Sequence, residues 1–308
     1  MPESPKFYAT IAVSSKQAVS VEYERMHLRL TPERLTGRLS GNLVALQALH
    51  VGSGALSPPE LLGLDIPDVS LVKAFARNGE QRIIPGSALK GAFRSLVELF
   101  TESCVCKTRI RWTGDERARH GECQYRHRAL CPACKLFGAM GYQGQVRFED
   151  ALQQDGSAIL CLVPPQYQPR ANRDYRRYYP HALVDSRDPI WPLEAVPVGT
   201  RFTLRAQFTN LSEGELGLLL IALGQGEWAL CPKVGAGKSS GLGAVRIEEL
   251  TVERMLADQI YKDYESTAAW TPVEPSECIE AAGSLYLPDV LRTLGRDLAD
   301  IAIVGVSR

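Results

Sequence analysis

The stretch CPKVGAGKSSGLGAVRI, residues 231–247, constrains the fold through what it leads into. A nucleotide-binding P-loop has the form G-x-x-x-x-G-K-[ST], because successive backbone N–H groups wrap a phosphate chain before a helix begins. Counting back from Gly237 and Lys238, the first glycine of that motif falls on Pro232. The dinucleotide fingerprint G-x-G-x-x-G fails too: after Gly235 and Gly237 the next glycine is Gly241, one position late. The run that follows, LGAVRIEELTV, is rich in Val and Ile and alternates like a strand. A P-loop opens a helix, whereas this loop enters a strand, so ATP is the weaker ligand for it. Its glycines let the backbone come close to a partner, and Lys238 beside Ser239 suggests that the partner is anionic.

At 308 residues the chain is long enough for one large domain or two small ones. Its 45% apolar and 23% charged residues are ordinary for a globular protein. Lys plus Arg equals Asp plus Glu at 35 each, so net charge gives no hint of a polyanion, but the distribution does. Basic residues far outnumber acidic ones between positions 107 and 135, and RANRDYRRYY (170–179) carries four arginines in ten residues. Such segments on a neutral chain fit a local polyanion site. No run approaches the ~20 apolar residues of a membrane-spanning helix, and MPESPKFYAT lacks the apolar region of a signal peptide. A cytoplasmic protein without membrane contact is expected.

Five of the eight cysteines lie between positions 104 and 134, namely Cys104, Cys106, Cys123, Cys131 and Cys134. In a cytosolic chain such a cluster indicates a metal site before a disulfide frame. CPAC is a C-x-x-C knuckle whose thiolates, Cys131 and Cys134, can share one tetrahedral zinc. Cys123 supplies a third ligand and one of Cys104 or Cys106 the fourth, with Cys106 taken here and His120 and His127 as competitors. The surrounding TGDERARHGECQYRH is too polar to hold a shape through a core of its own, which a structural zinc explains.

The remaining pattern orders the elements. Residues 39–54 read as a strand ending in a glycine turn, followed by a long proline-bearing connection. In IPGSALKGAFRSLVELF, Ser87 reads as an N-cap, and Leu89, Phe93, Leu96, Val97 and Phe100 follow at helical spacing. Ser87, Lys90 and Arg94 then combine free N–H groups, a positive dipole end and two cations one turn apart into an anion site; an exposed solubilising face is the plainer alternative. Strands follow at 145–151, in GSAILCLVPP and in GTRFTLRAQFTN, then a capped helix in LSEGELGLLLIALGQGEW and the last strand. Strand, helix, three strands, helix, strand is an α+β, ferredoxin-like order with insertions. Residues beyond about 253 form a tail with a helix at 287–300. His50, in LHVGSG, is either an RNA contact or a satisfied structural histidine.

Four motifs, LHVGSG, IIPGSALKGAFRSLVE, CPACKLFGAMGYQGQVRFEDA and VGAGKSSGLGAVRI, stand in the order seen in the RAMP superfamily of CRISPR-associated proteins. They resemble above all the repeated backbone subunits of type III (Csm/Cmr-type) effector complexes and their zinc-containing relatives, over roughly residues 39–250. The resemblance implies a modified RRM-like palm within 1–253, a zinc-binding insertion at about 101–137, a thumb hairpin at about 166–198 and the glycine-rich loop. Residues 254–308 form a C-terminal extension that it does not cover. It also implies a CRISPR guide RNA lying across several copies, a single-stranded target RNA, and further effector subunits. The glycine-rich loop, with Lys238 and Ser239, would then meet guide-RNA phosphate.

In the thumb, Arg170, Arg173, Arg176 and Arg177 alternate with Tyr175, Tyr178 and Tyr179, a mixture that suits RNA through stacking and phosphate contacts. A protein–protein arm would use the same residues. The LLGLDIPDV segment resembles the cleaving loop of the family, a glycine, an apolar residue and an aspartate before a residue–proline pair. Asp65 aligns with the cleaving aspartate, and Asp68 is the near alternative because the sequence departs from the family after Pro67. Such scission has a 2′-OH attack its own phosphate while a carboxylate and a divalent ion, Mg or Mn, handle proton and charge. Two functions follow: an RNA-guided endoribonuclease subunit, or an RNA-binding scaffold that does not cut. A guide-processing ribonuclease is a distant third, since only isolated His50 and His181 could serve it.

Overall fold

The computed structural model describes residues 8–22, 27–64, 66, 69–105, 110–165, 172–179, 191–228, 230–255 and 270–299. After a short strand β1 (Ala9–Ala12) come β2 (Leu35–Ala45), β3 (Gly52–Ser57), β4 (Val72–Phe75) and β5 (Gln81–Ile84). Three helices follow, α1 (Gly86–Phe100), α2 (Gly114–His120) and α3 (Pro132–Phe137). Next are β6 (Val146–Phe148), β7 (Ile159–Val163), β8 (Tyr175–Tyr178), β9 (Trp191–Ala195) and β10 (Arg201–Leu211). Helix α4 (Glu213–Ala222), β11 (Val245–Met255), β12 (Trp270–Pro272), α5 (Pro275–Ala281) and α6 (Pro288–Ala299) come last among the described elements.

The palm is an antiparallel sheet of order β6-β10-β2-β11-β12. Period-two patterning fixes its faces. In β10, Phe202, Leu204, Ala206 and Phe208 are buried, whereas Arg205 and Gln207 point to the open side. Helices α1 and α4 cover the apolar face. From α1, Leu89, Phe93, Leu96, Val97 and Phe100 turn inward, and Phe93 stacks on Phe148 with centroids 5.2 Å apart. Burying each such side chain contributes about 1.5–3 kcal/mol.

Helix α4 starts with a capping box, Ser212 Oγ accepting from Glu215 N while Glu215 Oε2 accepts from Ser212 N. All but the first of its residues are buried, because α5 covers the side away from the sheet. That contact needs glycine: a Cβ on Gly217 would overlap the Cys278 carbonyl. The segment beyond 253 thus meets the palm through β12 on the sheet edge, through α5 on α4, and through Leu287, whose N–H donates to the Phe100 carbonyl at the end of α1.

A second sheet, β7-β9-β4-β3, packs beside the palm. The strand in GSAILCLVPP, expected among the palm strands, is β7 and belongs here, paired with β9 along its length. Its anchor is Glu194, whose carboxylate is fully buried and accepts from Arg77, Arg82 (2.7 Å) and the Phe75 N–H (2.8 Å). Burial alone would raise its pKa, but these donors hold it below the usual carboxylate range. Strand β8 is not in this sheet. It pairs with β1, placing Tyr175 to Tyr178 against the N-terminal segment. Of the expected thumb, then, 172–179 and 191–198 are tied to strands or to the sheet, and 166–171 and 180–190 lie outside the described residues.

Candidate nucleic-acid interface and metal centre

The cysteine-rich insertion closes on four sulfurs. Cys104 follows the end of α1, Cys123 lies between α2 and α3, Cys131 precedes α3 and Cys134 is within it. All four are buried and their Sγ atoms lie within 4.8 Å of one another. Cys104 Sγ is 3.4 Å from Cys134 Sγ and 3.7 Å from Cys131 Sγ. A disulfide needs about 2.05 Å, whereas the edges of a sulfur tetrahedron around zinc, with bonds of about 2.3 Å, are about 3.8 Å. The four thiols therefore fit a metal such as zinc and not a disulfide. The Cys123 and Cys131 thiols are both pulled below their ordinary pKa, chiefly by hydrogen bonding to Cys104. Arg94 Nη2 donates to Cys134 Sγ at 3.2 Å, adding a cation behind the sulfurs.

The fourth thiol in the described cluster is Cys104; Cys106 lies outside the described residues. The competing histidines are elsewhere. His120 Nδ1 bonds the Ser14 carbonyl at 3.0 Å, and exposed His127 accepts from Arg126 Nε at 3.2 Å. Lys135, in α3, pairs with Glu215 of the α4 capping box, so the insertion is joined to the palm by an ion pair as well as by its sulfurs.

At the start of α1 the expected anion site is already filled. Pro85, not Ser87, is the N-cap, and the Gly86 N–H donates to the Asp150 carboxylate at 2.8 Å. Asp150 supplies the negative charge that a helix N-terminus favours, and Ser87 is left exposed on the first turn. Arg94 also turns inward: its guanidinium donates to Glu98 Oε1 (2.8 Å) and the Gly138 carbonyl (2.7 Å). Lys90, half-buried, has its pKa lowered by burial and then by the neighbouring charges of Arg94 and Arg147. Of the three α1 residues, Lys90 alone keeps a cation without a bonded carboxylate among the described residues.

In the glycine-rich loop, Gly235, Gly237, Gly241 and Gly243 all have φ between 71° and 91°, the left-handed region. Their close approach is to the protein itself. A Cβ on Gly235 would overlap the His50 carbonyl, and one on Gly243 the Val234 carbonyl. Ala236 N donates to His50 O and Gly243 N to Ala48 O, each at 2.9 Å. His50 itself is 2% exposed, its Nδ1–H donating to the Glu194 carbonyl at 2.6 Å, which makes it a structural histidine whose pKa burial lowers. The loop so clasped presents exposed Ser239 and partly covered Lys238.

Strand β8 brings its arginines to the same side of α1. Arg176 donates to Ser95 Oγ (2.9 Å) and Glu98 Oε2 (3.2 Å), and Arg177 lies over the Tyr8 ring at 4.7 Å. Arg173 stands apart, paired with Glu116 of α2 at 2.5 Å and near Trp112. Arg176, Arg177 and Lys238 line one cavity against α1, together with Lys233, which the sequence did not single out. Its only signal there is a lysine between Pro232 and Val234, in a run otherwise fit for burial. Asp65 and Asp68 lie outside the described residues; Leu64 beside them is buried in a small core with Leu62, Val72 and Ala74.

Palm order, helix placement, a four-thiol knuckle and a glycine-rich loop entering the last palm strand define a ferredoxin-like α+β protein with a metal-capable insertion. The model of the RAMP superfamily matches residues 42–246, from β2 into β11, and the chain belongs to that superfamily. It is thus a CRISPR-associated protein of a class that binds RNA and works in multisubunit complexes. No curated protein matches the chain. Among the described residues no helix is long and apolar enough to cross a membrane.

Proposed function

We infer that the chain is a guide-RNA-binding backbone subunit of a type III CRISPR effector complex, working in the cytoplasm with other subunits and a complementary target RNA. The observation that carries this is the cationic junction of α1, β8 and the glycine-rich loop, where Lys233, Lys238, Arg176 and Arg177 line one cavity with no carboxylate among its described lining residues, Arg176 being paired with Glu98 behind it. Contacts of that kind fix a nucleic-acid backbone without reading its sequence, which suits a subunit that must accept any guide. Zinc on Cys104, Cys123, Cys131 and Cys134 would be structural, since a closed four-thiolate set leaves no position for substrate.

Cleavage of the target falls to Asp65, whose carboxylate would take the proton of the attacking 2′-OH. A divalent ion, Mg or Mn, supplies charge neutralisation at the phosphate when bound. The test is native purification followed by RNA extraction and target digestion. A discrete co-purifying RNA with further subunits is expected, and Asp65→Ala should abolish cutting while leaving both RNAs bound. Recovery of a lone, RNA-free chain overturns the assignment, and a complete complex that leaves its target uncut makes this subunit a scaffold.

A further inference from the structure

We propose that the outer face of the cysteine-rich insertion carries a second ligand site, a groove that takes a nucleotide through its phosphate and its base. It shares no lining residue with the junction of α1, β8 and the glycine-rich loop, so it stands or falls apart from the guide-RNA reading.

Two cavities of about 560 Å³ and about 470 Å³ lie side by side on the insertion and share Gly114, Arg117, Glu122 and Gln124. Each is in the size range of small-molecule sites. The surroundings are firmly held. Cys123, in one wall, belongs to the four-thiol centre and fixes the chain between α2 and α3. The N-terminal segment forms another wall: Val19 and Ser20 pair with Leu130 and Ala129, and the Lys16 ammonium donates to the Gly121 carbonyl at 2.7 Å. The turn after α2 is so tight that a Cβ on Gly121 would overlap the Arg117 carbonyl.

What the groove offers is donors. Arg111, Arg117, Arg126 and Lys16 line it against one carboxylate, Glu122. Lys16 is engaged with Gly121 and Arg126 with His127, whereas the guanidinium groups of exposed Arg111 and Arg117 have no hydrogen bond or ion pair among the described residues. A guanidinium presents five N–H donors and no acceptor. Half-buried Trp112 adds a flat apolar surface, kept in place by His120, with ring centroids 5.1 Å apart, and by Arg173 over the ring at 5.9 Å. Its indole N–H, a donor only, is shielded from solvent and has no acceptor among the described residues. Water serves the exposed guanidinium groups but not that N–H, and a buried donor left unpaired costs free energy. A ligand that brings acceptor atoms removes the cost. Cations beside a flat ring select its class: phosphate oxygens meet the guanidinium groups and a base meets the indole. The basic run between positions 107 and 135, none of which reaches the junction, thereby acquires a role.

The test uses the full-length chain and three probes: an RNA trinucleotide, the mononucleotide AMP and a hexaglutamate peptide. The trinucleotide should quench tryptophan emission, and Trp112→Phe, in a chain of four tryptophans, should remove most of that quench. Arg111→Ala with Arg117→Ala should lower the affinity read by the quench about tenfold and reduce the slope of log K against log salt by about 1.4, the value for two single-strand phosphates. Both arginines are exposed, so this variant should keep the zinc content and melting temperature of the wild type. Arg176→Ala with Lys238→Ala, at the junction, should leave the Trp112 quench unchanged. Equal affinity for AMP and the trinucleotide makes the ligand a free nucleotide, and tighter binding of the trinucleotide makes it a strand. No Trp112-dependent quench by either, or a quench that survives loss of both arginines, overturns the proposal and leaves the guide-RNA reading untouched. Hexaglutamate bound through the same arginines in place of nucleotides makes the groove a dock for an acidic protein segment and overturns it as well.

Discussion

Arg94 and Lys233 are both cations near α1, and the fold treats them in opposite ways. Arg94 has Glu98, a backbone carbonyl and a cysteine sulfur, so its charge is neutralised by the protein. Lys233 is more deeply buried and has one carbonyl. The difference separates a cation that builds the structure from one that awaits something. It also shows why cation counts along a helix face mislead: direction and partner decide what a charge is for.

The largest expected effect lies with the cation that builds the structure. Cys131→Ser with Cys134→Ser removes two of four thiolates and the sulfur behind Arg94. We expect loss of bound zinc, measured by elemental analysis, and destabilisation on the order of 5 kcal/mol or more. Unchanged melting would refute a structural metal. Next, Arg94→Ala leaves Glu98, 3% exposed, with Arg176 as its remaining ion-pair partner among the described residues. About 3 kcal/mol of stability should be lost in denaturant titration, with RNA affinity changed far less than by Lys233→Met.

Lys233→Met should move stability the other way, raising it by about 1–3 kcal/mol at pH 7, because an uncompensated buried charge is replaced by an apolar chain. The sign with pH follows from linkage. Lys233 falls from 10.5 when exposed to about 7 when folded, so between those values the unfolded chain binds more protons. Wild-type stability should therefore rise as pH goes from about 7 to about 10.5, and the variant should lose that component. A variant less stable than wild type at pH 7 would mean that Lys233 has a partner in the free protein. The smallest effects concern the start of α1: Asp150→Ala should cost about 1 kcal/mol and Ser87→Ala under about 0.5, because the carboxylate and not the hydroxyl holds the first turn.

Much of the fold was legible because periodicity carries it. The alternation in β10 and β11 and the helical spacing from Leu89 to Phe100 state which face is dry, and the palm order follows from their sequence. Strand β7 was misplaced because alternation says that a strand exists and not which sheet takes it; that choice is made by β9 and by buried Glu194. The glycines were read as room for a ligand, yet Gly235 and Gly243 make room for the His50 and Val234 carbonyls. Three cysteines of the cluster were legible from spacing, whereas Cys104 against Cys106 depends on how the chain leaves α1. Asp150, 64 positions from Gly86, carries no local signal, and Lys233 only its place in an otherwise apolar run, since a cap from afar and the partners of a buried lysine exist only in three dimensions.

In the proposed function, guide RNA lies along α1, β8 and the glycine-rich loop, and not across the open side of the palm sheet. That open side carries Arg38, Asn42, Arg201 and Arg246, each bonded to a glutamate of β11. Ultraviolet crosslinking of the native complex, with peptides mapped by mass spectrometry, separates the two directly. Crosslinks should fall in peptides containing residues 172–179 and 233–241. Crosslinks confined to the strands bearing Arg38, Arg201 and Arg246 would contradict the account.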